Sequence, residues 1–219
     1  MQGPKIAQVC FVMDCTQSMQ HWIEAAKNRI LDTLSGICQM YPEFEVQVAF
    51  LGYRDFKDTE RFIRMNFTKD HIRIQDLLSG VEAKGGDDDA EDIAGAYAWL
   101  NSLRWDGDVQ MIFHIADAPN HGKEYHAKYV SDNYPEGNLS IDLREEVRTL
   151  AIKHIDITLF RLNGSTDITY DIMSKEYRRI RKEGFEIAEF LTSKFTPEAM
   201  FHNIVSGKMK KLLGDNRFR

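Results

Sequence analysis

The run Ile6-Ala7-Gln8-Val9-Cys10-Phe11-Val12-Met13-Asp14-Cys15-Thr16-Gln17-Ser18 decides the fold. From Ile6 to Met13 the chain is apolar at odd and even positions alike, with Gln8 the one interruption. A strand solvated on one face alternates, whereas a parallel strand covered on both faces reads as a continuous apolar run. The run stops at Asp14. A helical pattern then begins at about Ser18 and lasts to Ile37, with Met19, Trp22, Ile23, Ala26, Ile30, Leu34 and Ile37 on one face.

The rest of the chain continues the alternation. Glu45–Tyr53 reads as a strand, with Val46, Val48 and Phe50 in period two. Arg61–Phe67 follows after only the polar link Arg54–Glu60, which suits an antiparallel hairpin and is too short for a crossover. Helices are predicted over Asp70–Ser79, Glu91–Asn101, Asp142–Ile155 (opened by the capping pair Asp142 and Glu145) and Thr166–Lys182. Strands are predicted over Gln110–Ala116, Ile157–Leu162 and Phe185–Leu191, and Thr196-Pro197-Glu198 opens a last helix. This order predicts an α/β chain, doubly wound, with one mostly parallel six-stranded sheet and helices on both faces. A single domain is expected over residues 1–213, with Gly214–Arg219 a frayed tail. Ala118–Ser140 is the least regular stretch, and loops of that length are usually functional or mobile.

Composition narrows the function classes. The 219 residues carry a net charge of −6, with 43% hydrophobic and 28% charged residues, which fits a soluble globular domain and excludes a disordered, collagen-like or coiled-coil chain. No window reaches the ~18 apolar residues a membrane span requires. The acidic balance argues against a nucleic-acid partner. Cys10, Cys15 and Cys38 show no CxxC spacing, so neither a zinc knuckle nor a disulfide framework is supported, and a reducing compartment fits. The first apolar run contains Gln8 and lacks a cleavage pattern, so it is no signal peptide, and Gln2 fails the myristoylation pattern. The expected address is cytoplasmic.

In such a sheet, ligands sit at the carboxyl ends of the strands, where strand order reverses. The first strand is followed by Asp14-Cys15-Thr16-Gln17-Ser18, and the second by Gly52-Tyr53-Arg54-Asp55-Phe56. Gly85-Gly86-Asp87-Asp88-Asp89-Ala90-Glu91-Asp92 precedes a helix, and Asp117-Ala118-Pro119-Asn120-His121-Gly122 follows the Gln110–Ala116 strand. Separate loops thus bring carboxylates and hydroxyls to one edge, and alternation lets Asp14, Thr16 and Ser18 turn three oxygens to one point. Hard oxygen donors without Cys or a His cluster suit Mg²⁺, Mn²⁺ or Ca²⁺, and not zinc.

Asp14-x-Thr16-x-Ser18, with a later loop acid and Asp117, resembles the metal-ion-dependent adhesion site (MIDAS) of von Willebrand factor A (VWA) domains. The Gly52–Phe56, Gly85–Asp92 and Ala116–Gly122 stretches are similar to the VWA domains that accompany alpha-kinases, and the likeness runs from Ile6 to the last helix. The resemblance implies a Rossmann-like sheet with the short hairpin strand antiparallel at one edge. It implies a protein-binding role, with an open metal position for water or an acidic group of the partner, and regulation or targeting of an alpha-kinase. On this chain it implies Asp14, Thr16, Ser18 and Asp117 as ligands. Asp88 stands where the commoner pattern has Thr. Three ionised carboxylates around one dication leave a formal charge of −1, which favours metal retention and disfavours an acidic partner.

Other residues have plainer readings. Most of Asp87–Asp92 reads as a solvated helix start favoured by the helix dipole, with Asp88 alone a ligand candidate. Arg54 reads first as the partner of an edge carboxylate or of Asp55, and otherwise as a contact to a binding partner. His121 reads either as a partner contact or as a residue that orders its loop. His114, inside a strand, reads as a core histidine, and His121 with His126 lacks a third nitrogen or sulfur ligand. The rival class is a metal-dependent hydrolase or phosphatase on the same edge. Against it, Thr16 stands where phosphatases of the haloacid-dehalogenase type carry their second acid, and no Gly-rich nucleotide motif is present.

Overall fold

Strand β1 (Lys5–Asp14) lies inside the sheet between β2 (Phe44–Tyr53) and β4 (Val109–Ala116), and pairs in parallel with both. This is a computed structural model, and it describes residues 3–189 and 196–214. Beyond β4 lie β5 (Asp156–Arg161) and β6 (Phe185–Glu189), also parallel. Beyond β2 lies β3 (Phe62–Thr68), the antiparallel edge strand. The sheet order is β3-β2-β1-β4-β5-β6.

The period of two along β1 sorts its side chains between two cores. Ala7, Val9, Phe11 and Met13 join the core under α1 (Gln20–Met40), α2 (His71–Gly80) and α6 (Pro197–Gly214). Cys10 and Val12 face the core of α3 (Ile93–Ser102), α4 (Leu143–Ile152) and α5 (Asp167–Ile180). Both parities are therefore apolar because both faces are covered. Gln8 is buried, and its amide is satisfied. Its Oε1 accepts from the Asp106 and Gly107 N–H groups at 2.9 Å each, and its Nε2 donates to Asp106 Oδ1 at 3.0 Å. The polar interruption in the run thus ties down the loop entering β4.

The elements match the sequence reading, with ends displaced by a few residues. A 3₁₀ turn, Gln17–Met19, precedes α1, so regular α-helix begins at Gln20. Helix α4 stops at Ile152 because the chain reverses at His154, whose φ is 60°. Helix α3 begins at Ile93 instead of Glu91, capped by Asp92, which accepts the Gly95 N–H at 2.9 Å. Residues 190 and 191 of the expected last strand, and 215–219 of the expected tail, lie outside the described residues. Lys208 on α6 is buried and pairs with Asp156 Oδ2 at 3.3 Å and Glu186 Oε2 at 3.4 Å.

Two features of this topology place the functional edge. From β1 the order runs one way to β2 and β3, and from β4 the other way to β5 and β6, so strand order reverses between β1 and β4. Met13 pairs with Ile115, so Asp14 and Asp117 leave neighbouring strands at that switch point.

Candidate metal centre

Asp14, the last residue of β1, is fully buried. Its Oδ1 accepts the Thr16 N–H at 2.9 Å and the Thr16 hydroxyl at 2.7 Å, an Asx turn that folds the first loop back on the strand end. Thr16 Oγ1 lies 3.4 Å from Ser18 Oγ, and the Ser18 hydroxyl donates to Asp117 Oδ1 at 2.9 Å. One chain of hydrogen bonds therefore joins the ends of β1 and β4. The loop after β5 steadies Asp117: its carbonyl accepts from Asn163 Nδ2 at 3.0 Å and from the Ser165 hydroxyl.

The second loop packs onto the first through two glycines. Gly85 and Gly86 have φ of 76° and 86°, a left-handed conformation that L side chains rarely adopt. A Cβ on Gly86 would lie 3.1 Å from Glu91 Oε1 and 3.3 Å from Thr16 Cβ. The close approach is fixed by Lys84 N–H donating to the Cys15 carbonyl at 3.0 Å. Glu91 sits in extended chain that bridges to Asn120, and its N–H donates to the Pro119 carbonyl at 2.9 Å. It is 2% exposed, and its Oε2 has no hydrogen-bond partner among the described residues; the same is true of Asp14 Oδ2. Thr16, Ser18, Gly86, Asp88, Glu91 and Asp117 line a cavity of about 370 Å³. Asp88 is half-buried; its Oδ1 accepts the Ala90 N–H at 3.1 Å and its Oδ2 the Asn133 N–H at 2.5 Å.

The edge is electrostatically loaded. Burial, and then the charge of Asp117, push the Asp14 carboxyl up, against the lowering effect of the Thr16 hydrogen bonds and of Arg54. Burial pushes Glu91 far above the usual carboxylate range, reinforced by Asp14, Asp55, Asp58 and Asp88. Asp117 is raised by burial, opposed by the Ser18 hydrogen bond. Carboxyls raised in this way bind a proton readily when alone and are held ionised by a cation. The oxygen-only donor set and the two unpartnered buried oxygens fit a hard divalent ion.

A family model described as von Willebrand factor A domain matches residues 8–133, more than half of the chain and all five positions read as metal ligands. The chain belongs to the von Willebrand factor A domain family. VWA domains are in general non-catalytic modules of protein interaction, and often bind a divalent cation. Among curated proteins, the alpha-protein kinase vwkA of Dictyostelium discoideum is 28% identical over 192 residues, 83% of this chain. The chain spans only 30% of the length of that kinase. Among solved structures, the pilus adhesin SpaC of Lactobacillus rhamnosus GG superposes with a TM-score of 0.62 at 12% identity, over 97% of this chain and 30% of SpaC. The SpRpn10 VWA domain gives 0.57 at 9% identity, over 89% of this chain and 93% of that domain. Such likenesses show the fold.

Within this VWA domain the structure brings Asp14, Thr16, Ser18 and Asp117 together, with Asp88 on the same cavity. Arg54, read first as a structural residue of the edge and otherwise as a partner contact, and His121, read as either a partner contact or a loop-ordering residue, are 2% and 1% exposed. Arg54 donates to three carbonyls, from Nε to Cys15 at 3.1 Å, from Nη1 to Glu60 at 2.5 Å and from Nη2 to Glu82 at 2.8 Å. It therefore staples the first loop to its neighbours. His121 is held between Asp55 and Asp132, and Phe56 stacks on its ring with centroids 4.5 Å apart. The 118–140 stretch that supplies Asp132 has no regular element, yet Asp132 knits it by accepting from His121, His126 and the Gly122 and Tyr134 N–H groups. Sequence reasoning missed Glu91, whose acidic neighbours read as a helix start, and it missed Asn163, Ser165, Asp55 and Asp132. The Gly85-Gly86 pair is the signal that could have drawn attention to Glu91, because it marks a close backbone approach.

Proposed function

We propose that this VWA domain is a protein-binding module that holds Mg²⁺ at the carboxyl edge of its sheet. Asp14, Thr16, Ser18 and Asp117 are the ligands, directly or through water. Glu91 and Asp88 of the second loop line the same cavity. The observation that carries this reading is the pair of buried carboxylate oxygens without partners, Asp14 Oδ2 and Glu91 Oε2, beside the hydrogen-bonded chain from Asp14 to Asp117. A bound dication supplies an open position for water or a partner's acidic group. The chain's own residues set its strength: with Asp14, Asp117 and one acid of the second loop ionised, the ion is held firmly and left a weak electrophile.

A non-catalytic role is supported by the surroundings. Cys15, the thiol inside the first loop, is buried, and burial pushes it far up, out of nucleophilic range. The kinase relative suggests that the domain targets or regulates an alpha-kinase, and three unpaired thiols suit a cytoplasmic setting. No helix among the described residues is long and apolar enough to cross a membrane.

Calorimetric titration of the metal-free chain with Mg²⁺ tests the site. One site is expected in the wild type and none in Asp14→Ala. Unchanged Mg²⁺ binding in that variant removes the assignment. Binding to a captured protein partner should be lost in chelator while the circular dichroism spectrum persists.

A further inference from the structure

We infer a second divalent-cation site in this domain, formed by Asp55, Asp88 and His121, which selects a transition-metal dication suited to an imidazole, such as Zn²⁺, over Mg²⁺.

The three residues come from three loops and bring one ligand atom each to within 4.8 Å of one another. Asp55 follows β2, Asp88 lies in the loop before α3, and His121 follows β4. Asp55 is 1% exposed, and its Oδ2 has no partner among the described residues. An anionic oxygen buried without a donor is costly unless a cation meets it. His121 Nε2 lies 2.9 Å from Asp55 Oδ1. Two ligands about 2.0–2.2 Å from one ion and roughly at right angles sit about 3 Å apart, so that gap serves chelation as well as a hydrogen bond.

The far side of the imidazole is built for the same purpose. Its Nδ1 lies 2.9 Å from Asp132 Oδ1. That carboxylate is anchored by the Gly122 and Tyr134 N–H groups at 2.8 and 2.7 Å, and by His126 Nε2 at 2.9 Å. A carboxylate on one ring nitrogen fixes the tautomer that turns the other nitrogen's lone pair to a metal. Two carboxylates and a neutral imidazole leave a dication formally uncharged, which compensates the second loop where the acids crowd. The nitrogen donor separates this site from the oxygen-only one at Asp14: imidazole suits Zn²⁺ and the other later first-row dications better than Mg²⁺, and Mn²⁺, which prefers oxygen but accepts an imidazole, serves as the spectroscopic probe.

Mn²⁺ is the probe, added to the tag-free, metal-free chain and read by electron spin echo modulation, which detects a directly bound ¹⁴N nucleus. Nitrogen modulation is expected in the wild type and in Asp14→Ala, because that variant spares the second site. It is expected to vanish in His121→Gln, with the fold checked by circular dichroism. Asp55→Asn, which keeps the shape, should weaken the nitrogen-coupled Mn²⁺ by tenfold or more, and serves as the test if His121→Gln does not fold. Absence of nitrogen modulation in the wild type at saturating Mn²⁺ overturns the site. So does its persistence in His121→Gln, or unchanged affinity in Asp55→Asn. Mg²⁺ binding lost in Asp14→Ala is scored separately, so the two sites fail independently.

Discussion

Arg54 shows how a single side chain holds the edge together. Its guanidinium donates to the carbonyls of Cys15, Glu60 and Glu82, which belong to three different loops. Replacing it by Met keeps the apolar stem and leaves three acceptors without their donor. The expected loss is about 2–4 kcal/mol, because each buried group left unsatisfied costs about 1–3 kcal/mol and some will find water. Urea unfolding measures it; a loss below about 0.5 kcal/mol would mean that the backbone bonds alone hold the first loop. Weaker Mg²⁺ binding should accompany it, since Cys15 lies between Asp14 and Thr16. At this scale, legibility depended on position. Asp14, Thr16, Ser18 and Asp117 could be singled out because each follows a strand end, and strand ends are visible as limits of apolar runs. Glu91 could not, because its extended backbone depends on a bridge to Asn120, and nothing in the local periodicity encodes that contact. For Arg54 and His121 the sequence left two readings open, structural and partner contact, because burial of a charged group becomes visible only once its partners are known.

Strand β4 carries a titratable group whose behaviour follows from its neighbours on three elements. His114 is buried between the hydroxyls of Tyr53 on β2, at 2.8 Å, and Tyr97 on α3, at 3.3 Å. The Tyr170 ring of α5 lies 6.0 Å away between centroids. Burial lowers the His114 pKa to about 3. The unfolded chain binds this proton near the ordinary histidine value of about 6.5, so the folded state is favoured in full above that pH. Stability is then lost as pH falls from about 6.5 toward 3. Wild type should lose about 2 kcal/mol more than His114→Gln between pH 7 and pH 5, read from denaturant midpoints at each pH. Equal slopes would show that the ring already takes up its proton in the folded state. The elements themselves were legible because apolar period and parity are local properties. Their ends were less so: the stop of α4 at Ile152 is set by a left-handed His154, and the start of α3 by the Glu91 bridge.

The described residues pack into two apolar cores, one on each face of the sheet, and none of the five candidate metal ligands belongs to either. Removing the metal should therefore leave the fold intact. Chelator is expected to lower Tm only by the mass-action term, about 2.7 kcal/mol for a ligand present at a hundred times its Kd. The far-UV circular dichroism at 25 °C should not change; its collapse in chelator would place the ion among the forces that maintain the fold. The edge itself is the least local part of the structure. The Ser18 hydroxyl meets Asp117 across 99 residues of chain, because β1 takes its parallel partner β4 from the second half of the sequence. On a ribosome adding about 5–20 residues per second, Ser18 waits about 5–20 s before Asp117 is even polymerised. A nascent or truncated chain thus exposes Asp14 without Asp117, and loading of the proposed metal site would certify that synthesis had passed the midpoint of the domain.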